Sequence, residues 1–194
     1  MRLTLNKSDE GLLKGLFGYI NVSSSQAERL AALIISRRTS KSDGADSGNL
    51  QRAAQRSLGF IDVTQLNQIV SMPAHIYQKM LPFVTIFGRD GRVNALTSPQ
   101  AVLSSIPDLK NDEVESILSQ RIAYSQNNAS RMTLNNRLLS TETGPAYILL
   151  IEVKDAGTGA KKRIEATILI TQKNRKAPYR ILNWRDSAIR DFKE

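Results

Sequence analysis

The chain has 194 residues, of which 41% are hydrophobic, and it carries a net charge of +9. This length suffices for one sizeable core or two small ones, and the absence of cysteine excludes disulfides, thiolate chemistry and zinc–cysteine sites. No apolar run approaches the roughly 20 residues that span a bilayer, and no basic leader followed by an apolar segment opens the chain. The sequence therefore predicts a soluble protein or the soluble part of an anchored one.

The basic excess is spread along the chain and forms no continuous stripe. The two dense clusters, Lys161–Arg163 and Lys173–Lys176, lie at opposite ends of one predicted strand. At about 3.3 Å per residue they are roughly 30 Å apart. Because a nucleic-acid interface favours a continuous basic stripe, these clusters indicate solvated turns.

The first predicted structure is a hairpin of two amphipathic helices that ends near Arg37. A polar stretch follows, and we interpret residues 38–57 as a long mobile loop. Within it, Asp43, Asp46 and Asn49 could offer oxygen ligands to a hard cation such as calcium, with Asp43 and Asp46 as the metal candidates. The alternative is a flexible loop of serine, glycine and aspartate that binds no metal.

A third helical pair is predicted between Phe60 and Pro82. Asp62 caps its first helix and Pro73 opens its second. His75, the only histidine, lies in this segment without a second histidine, a cysteine or an acidic cluster beside it. This setting excludes a catalytic triad or a zinc site around that histidine.

The central stretch, Phe83–Arg121, reads as an extended segment, a turn and two short helices joined by a tight loop. Ser98 is the predicted cap of the first helix, with Pro99 at its first helical position. Asn94 is predicted to link the loop to this cap through hydrogen bonds. The apolar stripes of the two helices should face each other; they comprise Val102, Leu103 and Ile106 in the first and Val114, Ile117, Leu118 and Ile122 in the second.

The opening hairpin repeats this central unit. In the alignment, Leu5-Asn6 matches Val93-Asn94 and Arg37 matches Arg121. The shared asparagine and the shared closing arginine favour duplication over two unrelated hairpins.

The pattern changes to alternating and branched residues after residue 140. Three strands are predicted, Ala146–Lys154, Lys162–Gln172 and Tyr179–Arg185, joined by tight turns into an antiparallel meander. A three-stranded meander needs a cover on one face, which a long N-terminal helix would provide, so we expect such a helix upstream of residue 1. We predict an α+β fold with a helical domain at 1–140 and a small antiparallel sheet at 141–194. The sheet face that should be half-buried carries Ile164, Ala166, Ile168 and Ile170.

The helical hairpins raise the alternative of a helix-hairpin-helix module that binds nucleic acid. That motif holds a phosphate on backbone N–H groups of a glycine-rich loop. The corresponding loops here, Phe17–Asn21 and Ile106–Lys110, lack paired glycines, and Asp108 would repel a phosphate. A hydrolase is a third alternative function, but no nucleophile motif in the sequence supports it.

The central stretch resembles the signature region of the general secretion pathway protein K family, the large minor pseudopilin of type II secretion. Phe60–Leu66 resembles the segment before that family's central helix, and Arg180–Asp186 resembles its last strand. The family's acidic segment, associated with calcium, is reduced here to Ser42–Asp46. The residues that carry the central likeness are Phe83–Gly88, Arg92–Asn94, Val102, Leu103, Ile106–Leu109 and Arg121.

The resemblance implies a pilin-like sheet with an inserted helical domain. It also implies a periplasmic protein that a hydrophobic N-terminal helix anchors in the inner membrane. The family assembles at the pseudopilus tip with two other minor pseudopilins, so the expected partners are those proteins and not nucleic acid. We expect no catalytic role and no cofactor beyond the calcium candidate. The predicted structural residues of the hairpin are Asn94, Leu103, Ile106 and Leu118.

Overall fold

The computed structural model describes residues 2–39, 59–69, 71–126, 132–171 and 177–186. The chain divides into two compact units, Met1–Thr141 and Glu142–Glu194. In the described residues, the helices lie in the first unit and a three-stranded antiparallel sheet lies in the second. The molecule therefore mixes helix and sheet in separate parts of the chain, as in the α+β class.

The first unit combines helices with very short strands around one apolar core. Its α-helices are α1 (Glu10–Tyr19), α2 (Ser24–Thr39), α3 (Ala74–Met80), α4 (Gln100–Leu103) and α5 (Asn111–Gln126). Its strands are β1 (Leu3–Thr4), β2 (Val84–Thr85), β3 (Val93–Asn94) and β4 (Leu139–Ser140). The largest side chains that are completely buried include Phe17, Leu5, Leu12, Leu13, Leu16, Leu30, Ile34, Leu66, Ile76, Met80 and Leu103.

Two short parallel β-ladders join parts of the first unit that are far apart in the sequence. β1 pairs with β2, with Leu3 opposite Val84, and the N–H of Leu5 donates to the carbonyl of Thr85 at 2.8 Å. The sequence predicted an extended segment around β2 but not this pairing, because a strand of two residues has no alternating pattern of its own.

The second ladder has the same form. β3 pairs with β4, with Val93 opposite Leu139, and the N–H of Ala95 donates to the carbonyl of Ser140 at 2.7 Å. One strand of each ladder is followed in the chain by a pair of helices. Helices α1 and α2 follow β1, and helices α4 and α5 follow β3.

The hydrogen bonds correct the register of the sequence alignment, which matched Leu5-Asn6 with Val93-Asn94. The carbonyl of Thr4 accepts from the N–H four residues later, and the carbonyl of Asn94 does the same. Thr4 is therefore the counterpart of Asn94, and the alignment was wrong by two residues. The shared asparagine misled the alignment, because Asn6 and Asn94 are the same residue type but occupy different positions in the two turns.

Helix α1 closely approaches the turn that follows α4, at two glycines of α1. A Cβ atom on Gly15 would lie 2.0 Å from the backbone oxygen of Ser105, and one on Gly11 would lie 2.8 Å from the ring of Pro107. Only a residue without a Cβ permits the backbone approach at position 15, so Gly15 sets the distance between α1 and the turn after α4.

Two predicted boundaries differ in the structure. The N-cap of α4 is Pro99, without a side-chain cap bond, and the hydroxyl of Ser98 is buried without a hydrogen-bond partner. The predicted capping role of Ser98 was therefore wrong. Helix α2 continues to Thr39, so the first two residues of the predicted loop at 38–57 are helical, and positions 40–57 lie outside the described residues.

The segment after residue 59 starts with a 3₁₀ helix, Val63–Gln68, in place of the α-helix predicted there. Asp62 caps it as expected, since its carboxylate accepts from the N–H of Thr64 at 2.7 Å. The side chain of Gln65 completes a reciprocal capping box at the backbone of Ile61 and Asp62.

The second unit is the predicted antiparallel meander, in the order β5 (Ala146–Lys154), β6 (Lys161–Ile170) and β7 (Tyr179–Asp186). The first turn is stabilised by Asp155, whose carboxylate accepts from the N–H of Thr158 at 2.6 Å and from its hydroxyl at 2.7 Å. Between β6 and β7 the register shifts after Thr167, so that Leu182 is the extra residue of a β-bulge.

Candidate interaction surface

One face of the three-stranded sheet, which we term the apolar face, is built of apolar side chains on all three strands. Residues directly opposite in an antiparallel pair lie on the same face, and the register therefore assigns each side chain. Leu149, Ala166 and Trp184 form one such row across the sheet. The apolar face comprises Tyr147, Leu149, Ile151, Val153, Ile164, Ala166, Ile168, Ile170, Tyr179, Ile181 and Trp184, and the ion pair of Lys162 with Asp186 lies at one end of it.

Most of the apolar face is exposed to solvent. The exposed fraction is 57% for Trp184, 55% for Ile181 and 56% for Val153. Of the four residues predicted to be half-buried here, Ala166 is buried, Ile164 and Ile168 are half-buried, and Ile170 is exposed. The burial of the central strand comes from its two neighbouring strands.

The opposite face, termed the polar face, carries charged pairs. Arg163 donates to Glu152 across β5 and β6, with a distance of 2.9 Å from its Nε. Arg185 donates to Glu165 across β6 and β7 at 2.7 Å from Nη2, and this carboxylate is buried. The polar face can therefore remain exposed to water, whereas the apolar face has a residue composition typical of a protein interior.

A sheet with one apolar face is stable when a second layer covers that face. Contiguous exposed apolar patches of this kind mark interaction sites on soluble proteins. The arrangement can therefore bind an apolar helix or sheet, with specificity from the aromatic rings of Tyr147, Tyr179 and Trp184, which are all on this face.

The predicted hairpin residue Asn94 is buried in the first unit. Its side-chain oxygen accepts from the N–H groups of Leu96 at 2.9 Å and Thr97 at 3.0 Å, and from the hydroxyl of Thr97 at 3.1 Å. This carbonyl fixes the turn that leads from β3 to α4.

The predicted core residues of the same hairpin lie in the apolar core. Leu103 and Ile106 are buried, and Leu118 is partly buried against the core. Ile122, which the sequence placed on the same stripe, is 62% exposed, so the buried stripe of α5 ends one turn earlier than predicted.

Each helix pair is tied to its preceding loop by one arginine. From α5, the guanidinium of Arg121 donates to the carbonyl of Ser98 at 2.7 Å and also to the carbonyl of Ala95. Burial of this guanidinium lowers the pKa of Arg121. The arginine thus supplies donors to two carbonyl groups of the loop.

In the first helix pair this contact belongs to Arg38. Its guanidinium donates to the carbonyl of Leu5 at 3.0 Å and to that of Ser8 at 2.5 Å. Burial lowers the pKa of Arg38, and the charge of Asp9 partly opposes that change. The sequence alignment chose Arg37, which is exposed, because adjacent arginines cannot be told apart without the helix phase.

The loops between the paired helices have a common backbone feature but no phosphate cradle. Asn21 in the first loop and Asp108 in the second have φ angles of 63° and 64°. Asp108 is exposed, and its carboxylate would repel a phosphate at this turn. The geometry of these loops therefore does not favour the nucleic-acid alternative.

The metal candidates Asp43 and Asp46 lie outside the described residues. In the described ranges, no group of three or more histidine, cysteine, aspartate or glutamate side chains could hold a metal ion. None of the helices described is both long enough and apolar enough to cross a membrane.

Comparison with known proteins shows a likeness in fold. One chain in the crystal structure of the GspK–GspI–GspJ complex from the type 2 secretion system of enterotoxigenic Escherichia coli is similar to this chain, with a TM-score of 0.51. The likeness covers 96% of this chain and 76% of that chain, at 14% sequence identity. No family model and no curated protein matches the sequence. At this identity the likeness shows a shared fold.

Proposed function

We propose that this chain is the soluble part of a minor pseudopilin in a type II secretion system. The observation that carries the proposal is the fold likeness to a chain of the GspK–GspI–GspJ complex, which extends over both units. The resemblance of Phe83–Arg121 to the pseudopilin signature region supports it independently of the fold.

In this proposal the protein acts by protein–protein contact and not as an enzyme. It assembles at the pseudopilus tip with two other minor pseudopilins, in the periplasm. The exposed apolar face of the sheet is where a long hydrophobic helix of the full-length protein packs, and the same helix anchors the protein in the inner membrane. The proposal is supported by the contrast between the apolar face and the ion-paired polar face, because only the first needs a cover.

We also propose that the first unit arose by duplication of a strand–helix–helix element. The support is the recurrence of the parallel ladder, the turn and the arginine contact, with Arg38 and Arg121 in corresponding roles.

The test is assembly with the soluble domains of the other two minor pseudopilins encoded with the same secretion system. Size-exclusion chromatography with light scattering should detect a stable complex of the three chains at micromolar concentration. A protein that stays separate at tens of micromolar, or that instead binds DNA with an affinity that falls steeply with salt, would contradict the proposal.

A further inference from the structure

The outer edge of β5 (Ala146–Lys154) is open. Within the described residues, β5 pairs with β6 on one side and with no strand on the other. The N–H of Ile170 donates to the carbonyl of Pro145, and the N–H of Asp155 donates to the carbonyl of Ala160. Odd-numbered residues of β5 therefore bond to β6, and even-numbered residues direct their N–H and C=O groups outward.

This edge lacks the usual protection against strand addition. Natural edges are blunted by proline, bulges or charged side chains. The strand has neither proline nor glycine, and its charged residues, Glu152 and Lys154, are both near its end. At the other edge, β7 carries Arg180 and Arg185 on the polar face and a bulge at Leu182.

Leu150 is the exposed residue among the apolar residues of the polar face, since Ala146, Ile148 and Leu169 on the same face are half-buried. It lies at the middle of β5 opposite Glu165, beside the two ion pairs, and it is 56% exposed. The sheet itself leaves more than half of this side chain exposed to water. It can be buried without disturbing the ion pairs if another strand is added along the edge.

The sequence of β5 matches itself in one antiparallel register. With Leu150 opposite Leu150 of a second copy, all nine residues pair, Tyr147 meets Val153, and Leu149 meets Ile151 on the apolar face. Glu152 meets Ile148, so no like charges are opposed. This register also pairs even-numbered residues with even-numbered ones, as the free hydrogen-bonding groups require.

We propose that two copies of this chain associate through their β5 edges, antiparallel about Leu150, to form a continuous six-stranded sheet. The contact is isologous and closes as a dimer, and the charged, bulged β7 edges stop further addition. It uses the strand edge and not the apolar face, so it does not depend on the proposed pseudopilin function.

The first test is sedimentation equilibrium of the whole chain and two variants. The unchanged chain should dimerise, and Leu150→Glu should raise the dimer dissociation constant roughly tenfold or more, since it loses the central apolar pair and opposes two carboxylates. Ile181→Glu is the matched control, because Ile181 is 55% exposed but lies on β7. It should leave the dimer intact.

The second test uses the absence of native cysteine. The variant Leu150→Cys should form a disulfide-linked dimer on mild oxidation, because directly opposed strand residues have a Cα distance of about 5.5 Å. Leu182→Cys, on the other edge strand, should not. A chain that is monomeric up to millimolar concentration, or a dimer abolished by Ile181→Glu and insensitive to Leu150→Glu, would overturn the proposal.

Discussion

The contact between α1 and the turn after α4 permits a quantitative prediction at Gly15. In the interior of a helix, replacement of glycine by alanine normally stabilises by about 0.5–1 kcal/mol. Here the new Cβ would lie 2.0 Å from the backbone oxygen of Ser105 and 3.0 Å from its Cα. Ordinary contact begins at 3.4 Å, so α1 and the backbone of this turn would have to separate by about 1.4 Å.

Overpacking of this kind costs about 1–3 kcal/mol, which exceeds the gain in helix preference. We therefore expect Gly15→Ala to lower the free energy of unfolding of the first unit by about 1–2 kcal/mol net. With about 2–4 °C per kcal/mol, the melting temperature should fall by about 2–8 °C. The matched control is Gly18→Ala in the same helix, where a Cβ meets no atom within 4 Å, and its stability should stay equal or rise.

The two units can be followed separately in this experiment. Helical circular dichroism reports on the first unit, and the only tryptophan, Trp184, reports on the sheet through its fluorescence. We expect the dichroism transition of Gly15→Ala to shift and the fluorescence transition to stay in place. If Gly15→Ala is as stable as the unchanged chain, or if both glycine variants change stability in the same direction, the close approach of α1 to the turn after α4 is refuted.

Three further predictions concern hydrogen bonds. Arg121→Lys should cost about 1.5–3 kcal/mol in urea unfolding, because a lysine cannot serve both loop carbonyls, while Arg37→Lys at an exposed position should be neutral. Asn94→Ala should cost about 0.5–1.5 kcal/mol, since it removes the side-chain oxygen that accepts from the N–H groups of Leu96 and Thr97. The hydroxyl and the N–H of Thr158 lower the pKa of Asp155, so this turn is more stable above the unfolded-state pKa and loses that contribution as the pH falls through the lower, folded-state pKa. An NMR titration should show this low pKa and its return toward the ordinary value in Thr158→Val.

Each of these has a clear contrary outcome. Equal losses of unfolding free energy in Arg121→Lys and Arg37→Lys would contradict the role of Arg121 in binding the two loop carbonyls. An unchanged midpoint for Asn94→Ala would show that other groups satisfy the turn. A titration in which Thr158→Val leaves the pKa of Asp155 unchanged would remove the hydroxyl as a cause.

The sheet was predictable from the sequence because its strands are long enough to show an alternating residue pattern and its first turn contains glycine. The strand Ala146–Lys154 has its predicted bounds, and the other two differ by only one or two residues at their ends. Which residues of β5 and β7 join the apolar face was not predictable, since that depends on the register and on the bulge at Leu182.

The structure of the first unit was less predictable from sequence patterns than the sheet was. Apolar spacing indicated Leu103 and Ile106 as buried residues, because helix burial has a period that can be read. The ladders formed by β1 with β2 and β3 with β4 join residues far apart in the chain and are too short for any pattern. Whether Arg37 or Arg38 contacts the loop depends on which side of α2 faces that loop. The local sequence does not determine this orientation.

The most direct test of the account is the environment of Trp184 in the full-length protein. In the chain described here its ring is 57% exposed, so its emission should be red-shifted and readily quenched by acrylamide. In a longer form of the protein that includes the proposed helix, purified in mild detergent with Trp184→Phe as the blank, we predict a blue-shifted emission and strong protection from the quencher, because the proposed helix would cover the apolar face. Emission and quenching that are the same in both proteins would contradict the claim that this face packs against a helix.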